Sequence, residues 1–155
     1  MKKIIFKAFV LFLLFGAVAL LTSCNDEKST LSLVRDTAER FPFRYGTIYS
    51  DEFAKDDAFY LSSEMKKKIL GDNAEKYTYI VSVSVYLARD MVSGSELIAI
   101  KLDDRSHRAE ITSLLYRRAE MKLDTVSRVF CEGDCVFFVC DIRANEIIQY
   151  IKSKI

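Results

Sequence analysis

Residues 77–87 read Tyr-Thr-Tyr-Ile-Val-Ser-Val-Ser-Val-Tyr-Leu. Tyr79, Val81, Val83, Val85 and Leu87 fall on one side of an extended chain, and Ile80, Ser82, Ser84 and Tyr86 on the other, the period of two that a β-strand imposes. After a loop holding Ser93-Gly94-Ser95, a second strand, Leu97 to Leu102, sets Ile98, Ile100 and Leu102 on one face. Two more strands, Arg128 to Glu132 and Cys135 to Ile142, are joined through Glu132-Gly133-Asp134, a composition suited to a hairpin. Short connections within each pair imply antiparallel pairing.

Helical spacing fills the intervals. Ser29 or Thr30 can cap a helix in which Leu31, Val34, Ala38 and Phe41 recur every three or four residues, closed by Pro42. Ser62 or Ser63 caps a short helix from Glu64 to Leu70, with Gly71 at the left-handed stop. A long helix starts at Asp103 or Asp104 and runs to about Leu123, with acidic residues where the helix dipole favours them. The last, Ala144 to Lys152, presents Ile147, Ile148 and Ile151. The expected fold is α+β: a four-stranded antiparallel sheet, ordered strand-strand-helix-strand-strand-helix, with helices on one face and two short helices preceding it. Residues 42 to 60 show no period but interleave Phe43, Tyr45, Tyr49, Phe53, Phe59 and Tyr60 with Asp51, Glu52, Asp56 and Asp57. A glycan or cation loop is one reading; the acidic residues lack the calcium-loop pattern, so rings laid over a sheet face are expected.

Before this domain lies a different kind of segment. Lys2, Lys3 and Lys7 form a basic start, and Ala8 to Leu21 is uninterrupted by charge, as in a signal peptide. A permanent transmembrane helix is disfavoured, because about 14 residues at ~1.5 Å each reach only ~21 Å of a ~30 Å hydrocarbon core. Leu21-Thr22-Ser23-Cys24 resembles the lipobox of bacterial lipoproteins, against the alternative of ordinary secretion with an incidental cysteine. The resemblance implies removal of residues 1–23, lipidation of Cys24, and a domain tied to a membrane on its extracytoplasmic side, since two or three acyl chains anchor stably. Residues 24–28 then form a tether and residues 29–155 a single domain, held within ~15 Å of the bilayer by about four residues at ~3.5 Å each.

Roughly residues 60 to 152 resemble an uncharacterised family of bacterial lipoproteins, domain of unknown function 4358. The resemblance rests on Gly94-Ser-Glu-Leu-Ile-Ala-Ile-Lys101, the arginine-containing helix after it, the hairpin around Gly133 and the closing helix. Where that family has an aromatic residue after the turn, this chain has Cys135. The resemblance implies a lipid-anchored, secreted α+β domain and brings no activity with it.

Loss of the leader lysines takes the formal net charge from +1 to −2, which gives no electrostatic reason to expect nucleic acid as a partner. His107 is the only histidine, so a multi-histidine zinc site is excluded and a serine triad would have to be built on it. In the first turn of a helix, it reads as a surface polar residue. Lys66-Lys67-Lys68 reads as a solvated face, with anionic headgroups as the alternative. The carboxylate spacing singles out no acid and base pair, and no catalytic residue, metal site or cofactor is expected.

The third helix does contain one anomaly: Arg118 falls inside the apolar arc of Ile111, Leu114, Leu115 and Met121. An unpaired buried guanidinium is costly, so Glu96 at the mouth of the adjoining strand is the expected ion-pair partner. The alternatives are an arginine reaching the surface and an anion-binding hook. With Cys24 lipidated, three cysteines remain. Cys131 and Cys135 come within disulfide reach if the hairpin loop has three residues, and not if it has two; Cys140 has the opposite parity from Cys135 and reads as apolar filler. The expected function is a non-catalytic accessory or binding domain acting on an envelope protein or small ligand. The alternative is a thiol-dependent or hydrolytic envelope enzyme.

Overall fold

Ser29 accepts a hydrogen bond from Ser32 N and so starts helix α1, Thr30–Arg40, as a serine N-cap should. The structure, a computed structural model, describes residues 28–43, 45–89, 94–122 and 126–155. The expected leader, Cys24 and the expected tether up to residue 27 lie outside the described residues. After α1 come β1 (Gly46–Ser50), α2 (Ser63–Leu70), β2 (Ile80–Ala88), β3 (Glu96–Leu102), α3 (Arg108–Glu120), β4 (Ser127–Glu132), β5 (Cys135–Cys140) and α4 (Ala144–Lys152). Ser62 caps α2, and Gly71, at φ 87°, ends it. Asp104 caps a 3-10 turn, Arg105–His107, that leads into α3.

The sheet has five strands in the order β1-β2-β3-β5-β4, every neighbouring pair antiparallel. The β4–β5 hairpin folds back so that β5 lies against β3 and β4 becomes an edge. The expected α+β class and antiparallel pairing describe the molecule; the four-stranded count and the single helical face do not. The fifth strand, β1, has only five residues and pairs with β2 from Gly46–Ala88 to Ser50–Ser84. Gly46 is required there, because a Cβ would overlap the Tyr86 ring.

Helices cover both faces. On one, Val83, Val85, Ile98, Ile100, Val136 and Phe138 meet Ile69 and Leu70 of α2 and Ile111 and Leu115 of α3. On the other, Tyr86, Leu97, Ala99, Phe137 and Val139 meet Leu33 and Val34 of α1 and Ile147 and Ile151 of α4. Two-sided burial is why the interior strands β3 and β5 read as nearly unbroken apolar runs. The alternation expected from Tyr79 onward breaks at Val81: the β2–β3 register steps from Ile80–Leu102 to Ser82–Lys101. That bulge turns Val81 out to 57% exposure and lets Ile80 join the same core as Val83.

Polar groups fix α1 to the sheet. Ser50 and Ser84 hydroxyls lie 2.7 Å apart, Ser84 and Thr30 2.9 Å, and Thr30 donates to Glu52 Oε1 at 2.6 Å. Burial alone would raise the Glu52 pKa, but hydrogen bonds from Thr30, Ser29, Leu31 N and Ser82 outweigh it and hold the carboxyl below its ordinary value.

Candidate functional site

Glu96 opens β3 and is 1% exposed. A carboxylate so placed needs cations or donors at both oxygens. Arg118 Nε donates to Oε1 at 2.6 Å, and Lys122 Nζ makes an ion pair with Oε2 at 2.6 Å. Arg118 Nη1 also donates to the Lys68 carbonyl at 3.1 Å, one of the last-turn carbonyls of α2 that have no partner within the helix. One guanidinium thereby ties α2, β3 and α3 together. The structure thus brings Glu96 and Arg118 into contact; Lys122 escaped the sequence reading, although its i+4 spacing from Arg118 placed it on the same side of the helix.

Beside this cluster is a cleft of about 390 Å³ between α2, the β1–β2 end of the sheet and the end of α3. Tyr49, Met65, Ile69 and Leu87 form its apolar wall, and Lys68, Arg89, Arg118 and Lys122 its basic rim. Glu96 is the only carboxylate in the lining among the described residues. On the other side of Arg118 lies a second hollow of about 380 Å³, bordered by Asp72, Tyr77, Leu114 and Arg117. Both volumes fall within the usual range for small-molecule sites, roughly 300–1,000 Å³.

The remaining candidates fall elsewhere. His107 stacks on Tyr79, ring centroids 3.8 Å apart and planes 4° from parallel, and the Tyr79 hydroxyl donates to Glu110 at 2.7 Å. Burial and then Glu110 push the Tyr79 phenol pKa up. Lys66, Lys67 and Lys68 each face a carboxylate, Asp51 at 2.6 Å, Glu75 at 2.8 Å and Glu64 at 2.9 Å, so the run is no unbalanced basic patch.

The turn decides between the two loop lengths left open for Cys131 and Cys135. Glu132 pairs with Cys135 and Cys131 with Val136, so the loop is the two residues Gly133-Asp134, with Gly133 at φ 54° as a type II′ turn requires. Cys131 therefore faces the α3 side, 3.5 Å from the Thr112 hydroxyl, while Cys135 belongs to the opposite core. Cys131, Cys135 and Cys140 are all outside disulfides, and Cys140 is fully buried with the α2 and α3 core.

No protein-family model, curated protein or solved structure matches this chain.

Proposed function

We propose that this chain is a bacterial lipoprotein, anchored through Cys24 on the extracytoplasmic side of a membrane, whose domain binds a small anionic ligand in the cleft beside Glu96. The cleft carries the reading: an apolar wall of Tyr49, Met65, Ile69 and Leu87 beneath a rim with four basic side chains and one carboxylate. Apolar walls supply affinity, and a few charged groups set orientation and choice. Arg118 is already committed to Glu96 and to the Lys68 carbonyl. Arg89 is the outer cation that would meet a carboxylate or phosphate head, beside Lys68, which also faces Glu64 at 2.9 Å. The lipobox residues Leu21 to Cys24 and the resemblance to domain of unknown function 4358 support the anchored location. The thiol-enzyme alternative is weakened because Cys131 and Cys135 point to opposite faces of the sheet and form no dithiol pair.

The test uses the acylated chain reconstituted in zwitterionic nanodiscs, titrated calorimetrically with octanoate and with octyltrimethylammonium. Octanoate should bind, the cation should not, and Arg89→Glu should weaken octanoate by about 10-fold or more, the scale of one lost charge contact made repulsive. Equal binding of both amphiphiles would remove the anionic preference, and binding of neither would remove the cleft from the function. Cys24→Ser in the expressing cells should abolish incorporation of a labelled acyl chain.

A further inference from the structure

The two edges of the sheet are finished differently. Along β1, Ser50 N donates to the Phe59 carbonyl and Leu61 N to the Ser50 carbonyl, so residues 59–61 cover the end of that edge. No described residue pairs along the outer side of β4. β4 is also regular: it has no proline, and its register with β5 runs without a bulge from Ser127–Cys140 to Glu132–Cys135. Bulges, prolines and covering segments are the usual protections of an edge, and among the described residues β4 has none of them.

The turn decides which backbone groups face outward. In the Glu132–Cys135 β-turn the Glu132 carbonyl points at β5. Alternation along an antiparallel strand then directs Phe130 and Arg128 inward and leaves the N–H and C=O of Val129 and Cys131 pointing away from the sheet.

That outward side is complementary to itself. Antiparallel pairing of two copies about a two-fold axis at Phe130 sets Val129 opposite Cys131 of the second copy and Arg128 opposite its Glu132. Arg128 and Glu132 have no ion-pair partner within the chain among the described residues. Charged side chains on an edge commonly repel a docking strand; opposite signs at symmetric positions repel most strands but attract this one. Beside the edge, α3 adds apolar surface: Thr112 touches Cys131, and Tyr116, one turn further on, is 52% exposed.

We propose that the chain self-associates through β4, antiparallel about Phe130, joining two five-stranded sheets across a two-fold axis. An interface between identical copies must be self-complementary in this way.

The test is oxidative cross-linking of the full chain in its own membranes, read on non-reducing gels. Val129→Cys should give a covalent dimer, because position 129 faces Cys131 of the second copy at about 5.5 Å between Cα atoms, within disulfide reach. Val129→Cys with Cys131→Ala should give none. Adding Arg128→Glu to Val129→Cys should lower the dimer yield at least about 10-fold, since two attractive cross-strand pairs become repulsive, and further addition of Glu132→Arg should restore it. Restoration by a second charge reversal also shows that the single-reversal chain had folded. Absence of a Val129→Cys dimer, its persistence after Cys131→Ala, or indifference to Arg128→Glu would overturn the proposal.

Discussion

Asp141, just past β5 and before α4, shows how one residue can hold two elements. It is 5% exposed and accepts from Arg143 N at 2.8 Å, Arg143 Nε at 2.9 Å and Ser95 Oγ at 2.6 Å. The Arg143 guanidinium in turn lies 5.8 Å from the Phe41 ring centroid and 5.9 Å from that of Phe43. Burial by itself would raise the Asp141 pKa, but these donors outweigh it and the carboxyl titrates below its ordinary value of 3.8. A carboxyl whose folded pKa is depressed stabilises the fold fully above its unfolded value and loses that contribution as pH falls through the folded one. Asp141→Asn should therefore cost about 2–4 kcal/mol in urea unfolding at pH 7. The gap to the parent should shrink below about pH 4; a gap independent of pH would assign the effect to packing.

At the scale of elements, the Arg118 cluster joins β3 and α3 to α2, which β2 separates from them in the chain. Arg118→Met removes the contact to Glu96 and strands the Lys68 carbonyl, leaving Lys122 as the cation on a buried carboxylate. The expected loss is about 2–4 kcal/mol in unfolding free energy, and Glu96→Gln added to it should recover part of that. A variant as stable as the parent would show that the pair contributes nothing to the fold. This contact was legible in the sequence, since a charge inside an apolar helical arc needs a partner. The placement of Cys131 was not, because one residue of loop length reverses which face it occupies, and composition does not set that length. Strand β1 escaped for a related reason: Gly-Thr-Ile-Tyr-Ser is too short for a period to show, and its pairing depends on β2 being there to receive it.

The whole molecule is two apolar layers sharing one sheet, and the sequence held a sign of this. Leu97-Ile-Ala-Ile and Cys135-Val-Phe-Phe-Val-Cys are continuous apolar runs, as strands covered on both faces must be, whereas assigning each strand one inward face led to helices on one side only. The arrangement has a thermodynamic consequence. Phe137 and Phe138 are adjacent in β5 yet fully buried in opposite layers, so loss of either helical layer bares one side of the same central strands. Neither layer has a sheet of its own on which to persist, and the domain should unfold in one transition. Ile111, in the α2 and α3 layer, and Ile147, in the α1 and α4 layer, are both fully buried. Each change to alanine should cost about 2–5 kcal/mol. Separated by the sheet and sharing no contacts, the two losses should add to within about 0.5 kcal/mol, with the urea m-value unchanged in each single variant. Against a total stability of about 5–15 kcal/mol for a domain of this kind, the double variant should stand close to unfolding. A second transition in either single variant would show that one layer survives the other, and the central strands would then not be the shared element that makes the fold cooperative.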